Sequence, residues 1–393
     1  MGCPGRLAFR DLSVIGDLVG RSVSERIPII RPDVRPDEVD GPIRDVLNSG
    51  MLTSGANVAE FERTVADWVG VAHAVATTSA TTAIHLALAG LGIGPGDEVL
   101  VPDFTFPATV NAVVQTGATP VFVDSRIEGF DMDPECATAL TSERTRAILP
   151  IDPFGQPADH VSLERVASEV GADLLVDAAC SLGAARHGVR CGNHGVAGCF
   201  SFHPRKVVTC GEGGMVTTGD PALAERLRVL RSHGGIRRTG PGLVFIEPGF
   251  NYRLSEIPAI LGLSQVRRLD GILSDRRETA GRYDEALQGI AGVKLPRPDG
   301  DAEWSYQSYV VLLDGEIDRD RVIELMAEAY VETTIGTYAC HQHPAFEPWT
   351  RGATLPNSAS HADRSLTLPL VPGMDRDQVE RVVGSLAEVI RQA

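Results

Sequence analysis

Seven short apolar runs alternate with helix-like segments through the middle of this chain, and that rhythm leaves few architectures open. The runs fall at 74–77, 98–101, 120–123, 146–151, 173–176, 197–202 and 214–217. Several are unbroken rather than alternating, as strands buried on both faces require. Segments of helical spacing lie between many of them, at 82–91, 109–116 and 163–170. Strand and helix in alternation predict an open α/β sheet, mostly parallel. Ahead of it come a Pro-rich stretch, a helical pattern at 36–48, a turn at 49–55 and a helix through Trp68.

At 393 residues the chain exceeds one ordinary core. The rhythm changes beyond Asp270: a helix at 272–290, a strand at 306–313, a helix at 318–330, a Pro/His-rich loop at 337–348 and a last helix at 375–392. The expected division is an N-terminal extension over 1–27, a large domain over 28–269 and a smaller C-terminal α+β domain over 270–393. The first 31 residues mix Arg, Asp and Gly with short apolar pieces, unlike a signal peptide.

A net charge of −16 argues against a nucleic-acid partner, because neutralising phosphates takes a basic face. No apolar run approaches the roughly 20 residues of a membrane helix. Seven scattered cysteines without a C-x-x-C pair predict reduced thiols and a cytoplasmic protein. Cys180, Cys199 and Cys210 read as small buried apolar residues. Cys340-His341-Gln342-His343 lacks further ligands at metal-site spacing, so no metal is expected.

Chemistry concentrates around Lys206. The chain has 36 basic residues, of which only Lys206 and Lys294 are lysines. Lys206 sits between the run ending at Phe202 and the cluster Gly211-Glu212-Gly213-Gly214. A partly desolvated lysine can lose its proton and attack a carbonyl to form a Schiff base, which arginine cannot do. Asp177 ends the run Asp173-Leu174-Leu175-Val176. A carboxylate there is costly unless it meets a positive group or caps the next turn, and a protonated pyridine nitrogen is such a group.

The segment Thr77-Thr78-Ser79-Ala80-Thr81-Thr82 places five hydroxyls at a helix start, where free N–H groups favour a phosphate. In Asp103-Phe104-Thr105-Phe106 either aromatic could stack on a flat ring, and periodicity does not choose between them. In Gly249-Phe250-Asn251-Tyr252-Arg253, Asn251 could reach a phosphate and Arg253 a carboxylate, or both could simply be solvated.

Together these stretches resemble the pyridoxal-phosphate-dependent sugar aminotransferases of the DegT–StrS group, of aminotransferase fold type I. The resemblance rests on Met51-Leu52-Thr53-Ser54-Gly55, the stretch from Thr78 to Leu88, Asp177-Ala178-Ala179, Ser201-Phe202-His203-Pro204-Arg205-Lys206 with Gly211-Glu212-Gly213-Gly214, and Gly249-Phe250-Asn251-Tyr252-Arg253. It runs from about Pro28 to Leu368-Pro369-Leu370. It implies a three-layer sandwich around the central sheet, with pyridoxal 5'-phosphate as cofactor.

Residue by residue, the resemblance gives Lys206 the Schiff base and proton shuttle and Asp177 the ring nitrogen. It gives Phe106 the ring face, and Ala80, Thr81 and Ser201 the phosphate, with Asn251 arriving from the second subunit of a homodimer with shared sites. Thr53, Arg253 and His341 would bind substrate. Cys180 stands where the family commonly has Gln, near the cofactor's phenolic oxygen, and Asp152 where it usually has His; both would lie beside cofactor and substrate.

The implied activity moves an amino group from L-glutamate or L-glutamine to a keto-sugar, nucleotide-linked, or to an aminocyclitol precursor in natural-product or cell-surface sugar biosynthesis. A transaminase for a non-sugar ketone or aldehyde is the alternative. A sugar dehydratase of the same family typically replaces the lysine by His, and Lys206 disfavours it. A cofactor-binding regulator is disfavoured by the intact Lys206 and Asp177.

Overall fold

The computed structural model describes residues 26–238, 242–297, 300–350 and 352–393. The expected N-terminal extension therefore lies outside the described residues, apart from Arg26 and Ile27.

All seven apolar runs enter one sheet: β1 (His73–Thr77), β2 (Glu98–Pro102), β3 (Thr119–Val123), β4 (Thr145–Ile148), β5 (Asp173–Asp177), β6 (Ala197–Ser201) and β7 (Gly214–Thr218). Their order across the sheet is β1-β7-β6-β5-β4-β2-β3. The pairs β6/β5, β5/β4, β4/β2 and β2/β3 are parallel, and β7 runs antiparallel to both its neighbours.

The unbroken apolar runs are explained by a covered face on each side. Val75, Val99, Val101, Leu175 and Val216 pack under the helices Ala80–Gly90, Ala108–Thr116 and Pro221–Arg231. Leu100, Ile148, Leu174, Phe200 and Met215 face the opposite way, against Ala56–Val69, His160–Val170 and Glu256–Val266. Successive strand residues thus serve opposite cores, and no polar stripe is tolerated on either face.

A second, antiparallel sheet of four strands follows: β8 (Val293–Lys294), β9 (Tyr309–Leu313), β10 (Thr334–Ile335) and β11 (Ser365–Leu368), in the order β8-β9-β11-β10. Its core gathers Val311, Leu313, Leu366 and Leu368 with Val382 and Leu386 of the helix Arg376–Val389. Ile27 joins that core and exchanges backbone bonds with Tyr330 and Glu332. The helix Leu269–Ala286 serves both halves, giving Leu269 and Leu273 to the first sheet and Ala280 and Tyr283 to the second. No helix among the described residues is long and apolar enough to cross a membrane.

Candidate active site

Parallel α/β sheets present ligands at the carboxyl ends of their strands. Here β1 ends at Thr77, β5 at Asp177 and β6 at Ser201, while the antiparallel β7 begins at the same edge with Gly214. Four separate stretches of sequence therefore reach one rim.

Lys206 is half-buried on the loop that leaves β6 and returns to β7. That loop is irregular and needs outside partners. Gln265 supplies two, accepting from the Thr209 N–H at 3.0 Å and donating to its carbonyl at 2.6 Å. Gln307 donates to the Arg205 carbonyl at 2.7 Å. Held this way, Lys206 Nζ donates to Cys180 Sγ at 3.0 Å. A cavity of about 600 Å³ opens beside the loop, bordered by Lys206, Arg31, Arg205, Arg268 and Gln307.

Cys199 and Cys210 are buried as expected for small apolar side chains. Cys180 differs: it is only half-buried and its sulfur is the acceptor of the lysine. The six described cysteines are free thiols.

Asp177 is buried at 3% exposure. Its Oδ2 accepts from the Thr109 hydroxyl at 2.7 Å and its Oδ1 from the Ala179 N–H at 3.1 Å. Burial raises its carboxyl above the ordinary value, opposed by these two bonds and by the charge of Lys206. A carboxylate so placed lacks a full countercharge, and a protonated ring nitrogen would complete it. Thr109 is a site residue that sequence reasoning missed; the available signal was a threonine in the first turn after Pro107.

At β1, Ser79 caps the helix Ala80–Gly90, accepting from the Thr82 N–H while Thr82 Oγ1 accepts from the Ser79 N–H. This capping box leaves the N–H groups of Ala80 and Thr81 pointing out of the first turn. Gly214 closes the pocket from β7: a Cβ there would lie 2.2 Å from the Ser79 carbonyl oxygen and 2.7 Å from the Ala80 nitrogen. Gly214 pairs with Ser201, which brings Ala80, Thr81 and Ser201 around one small cradle. A buried carboxylate, an amine across from it and an anion cradle together fit pyridoxal phosphate.

The two phenylalanines differ in placement. Phe104 is fully buried among Phe130, Phe154 and His361, whereas Phe106 is 61% exposed at the rim beside Thr109.

The remaining candidates lie around this centre without touching Lys206. Thr53 pairs with Ser255 and Arg253 with Thr77. Asn251 is exposed, its backbone paired with Ser232. His341 Nδ1 is 2.6 Å from Oδ2 of Asp103, whose Oδ1 accepts the His341 N–H at 2.8 Å. Tyr338 and Ala339 pair with Thr105 and Phe104, carrying the His341 loop to the rim.

Asp152 is fully buried next to the end of the Asp177 strand, its side chain bonded to His160, Ser181 and the Ala158 N–H.

Comparison with known proteins decides the family. Residues 35–387 match the model of the DegT/DnrJ/EryC1/StrS aminotransferase family. The chain belongs to that family. It is 35% identical over 381 residues to the spore coat polysaccharide biosynthesis protein SpsC of Bacillus subtilis, covering 93% of this chain and 98% of SpsC.

Among solved structures it is similar to S. venezuelae DesV, determined in complex with a ketimine intermediate (34% identity, TM-score 0.87, 94% of this chain and 99% of DesV). It is also similar to PseC of Helicobacter pylori, an aminotransferase of pseudoaminic acid biosynthesis (25% identity, TM-score 0.89, 94% of this chain and 100% of PseC). The protein is a pyridoxal-phosphate-dependent aminotransferase, and its small-molecule partners are an amino donor and a carbonyl acceptor.

Proposed function

We propose that the protein transfers an amino group from L-glutamate or L-glutamine to a keto-sugar, nucleotide-linked, or to an aminocyclitol precursor in natural-product or cell-surface sugar biosynthesis. The observation that carries this reading is Lys206 Nζ, held 3.0 Å from Cys180 Sγ at the rim where Asp177 lies buried. The named functions of SpsC and PseC support a sugar acceptor.

When bound, pyridoxal phosphate supplies an aldehyde carbon and an electron sink. Lys206, its amine held at the rim by Cys180, would hold the cofactor at that carbon and would be the group that moves a proton during transfer. Asp177, fixed by Thr109 and Ala179, holds a proton on the ring nitrogen. Phe106 covers one ring face, and Ala80, Thr81 and Ser201 hold the phosphate.

Asn251 completes the phosphate site from a second subunit, which makes the working unit a homodimer with shared sites. Arg253 takes a donor carboxylate, and Thr53 and His341, the latter oriented by Asp103, meet the acceptor. The free thiols support a cytoplasmic location.

The test is the visible spectrum of the holoenzyme with each donor. L-Glutamate or L-glutamine is expected to bleach the band of the bound cofactor, and Lys206→Ala to slow that change at least about 10⁴-fold. A band that ignores both donors while cofactor stays bound would rule out the donor assignment.

A further inference from the structure

Behind the Asp177 strand end lies a second buried acid with its own partners. Two backbone bonds tie the Asp177 strand end to the segment 150–152: the Asp152 N–H donates to the Asp177 carbonyl at 3.1 Å, and the Asp177 N–H to the Pro150 carbonyl at 2.8 Å. Beyond Asp177 the chain turns through Ala178, Ala179 and Cys180 to Ser181, whose hydroxyl donates to Asp152 Oδ2 at 2.6 Å. Asp152 thus grips both ends of the turn that carries Asp177 and the acceptor of Lys206.

Its other oxygen takes the Ala158 N–H at 2.8 Å and His160 Nε2 at 2.7 Å, and all these side chains are buried. The His160 ring stacks on His194 at 4.2 Å, and Cys191 faces the same cluster. A contact of 2.7 Å between nitrogen and carboxylate is a charge-assisted hydrogen bond. Two ligands of one zinc ion, each about 2.0–2.2 Å from it, would stand farther apart. The contact is therefore read as a hydrogen bond between the imidazole and the carboxylate and not as two ligands of one cation.

We propose that Asp152, paired with His160, is a positioning residue that sets the charge environment of Asp177 and so of the cofactor nitrogen that Asp177 holds. Burial alone would raise the Asp152 carboxyl, but the charge and hydrogen bond of His160, with the Ala158 N–H and the Ser181 hydroxyl, hold it below its ordinary value. Asp152 is therefore an anion, and its charge acts on Asp177 in the direction that favours a proton nearby. The groups facing Asp152 are His160, Ser181, Cys191, His194 and Asp177. Of these, His160 meets Oδ1 of Asp152, and the Ser181 hydroxyl, four residues after Asp177, meets Oδ2. The proposal rests on the aminotransferase reading but on neither the donor nor the acceptor.

The test uses holoenzyme without substrate. Asp152→Asn keeps the shape and removes the charge. It is expected to move the midpoint of the pH titration of the cofactor's visible band down by about half a pH unit or more, and to speed cofactor release about tenfold. Circular dichroism should remain that of the wild type. A folded variant with unchanged midpoint and release rate would overturn the proposal, leaving Asp152 a packing residue. Should Asp152→Asn not fold, the double variant Asp152→Asn/His160→Gln, which replaces both members of the buried hydrogen bond with neutral amides, takes its place. A lowered midpoint in that variant supports the proposal, and an unchanged one overturns it.

Discussion

The role proposed for Asp177 comes at a cost in stability. Burial, its largest influence, raises the carboxyl above the value it has in the unfolded chain. The folded state then binds a proton more tightly than the unfolded state. The contribution of Asp177 to stability is present at low pH and is lost as pH rises through the folded value. At neutral pH the cofactor-free protein carries a charge that its surroundings do not fully compensate.

Asp177→Asn is therefore expected to raise the melting temperature of the cofactor-free protein at pH 8, with the gain shrinking towards pH 4. The same change should lower the rate of amino transfer by about 10²–10³-fold, since the ring nitrogen loses its anionic partner. Scanning calorimetry at both pH values is the check. An Asn variant less stable than wild type at pH 8 would show that Thr109 and Ala179 already satisfy the carboxylate.

Among elements, the strands and helices of the large sheet were legible because each is a continuous apolar or helical run whose burial needs no knowledge of its neighbours. Lys206 stood out against an arginine background and Asp177 at a strand end, and the structure brings both to one rim of the sheet. What remained hidden are pairings between distant segments. Thr109 meets Asp177 across 68 residues, and His341 meets Asp103 across 238. The short pairing of Tyr338 and Ala339 with Thr105 and Phe104 is too brief to leave a period-2 pattern.

Glu256 belongs to the same hidden class. It is buried at 1% exposure, and its carboxylate accepts the N–H groups of Gly55, Asn57 and Val58 and the Asn57 side-chain amide, at 2.8–3.3 Å. These are the unpaired donors at the start of the helix Ala56–Val69, so one side chain from about 200 residues away does the work of an N-cap. A Cβ on Gly55 would come within 2.8 Å of that carboxylate, which accounts for the glycine ending the motif from Met51. Glu256→Ala is expected to cost about 2–4 kcal/mol in urea unfolding and to loosen the Thr53 turn, because several buried donors lose their acceptor together. A loss below about 0.5 kcal/mol would mean that water replaces the carboxylate at no cost.

At the scale of the whole molecule, one surface departs from what a lone soluble chain would present. The antiparallel hairpin of Gly235–Arg237 with Leu243–Phe245 projects Leu243, Val244 and Phe245, followed by Ile246, at 42–62% exposure. Met51, Leu52 and Phe106 are likewise 49–61% exposed. A monomer seldom leaves so many large apolar side chains in consecutive positions on a two-stranded ribbon that cannot stabilise itself. In the proposed homodimer this ribbon would pack on the partner, and Asn251, a few residues after Ile246, would be carried to the partner's phosphate cradle.

Light scattering should then give twice the 41.9 kDa of one chain. Phe245→Asp is expected to shift the mass towards a single chain and to weaken cofactor retention in the same variant, since one surface serves both. Asn251→Ala should weaken cofactor retention while leaving the mass of the dimer unchanged. If Phe245→Asp separates the subunits and the monomer holds cofactor as tightly as before, the site is complete within one chain and Asn251 has no place in it.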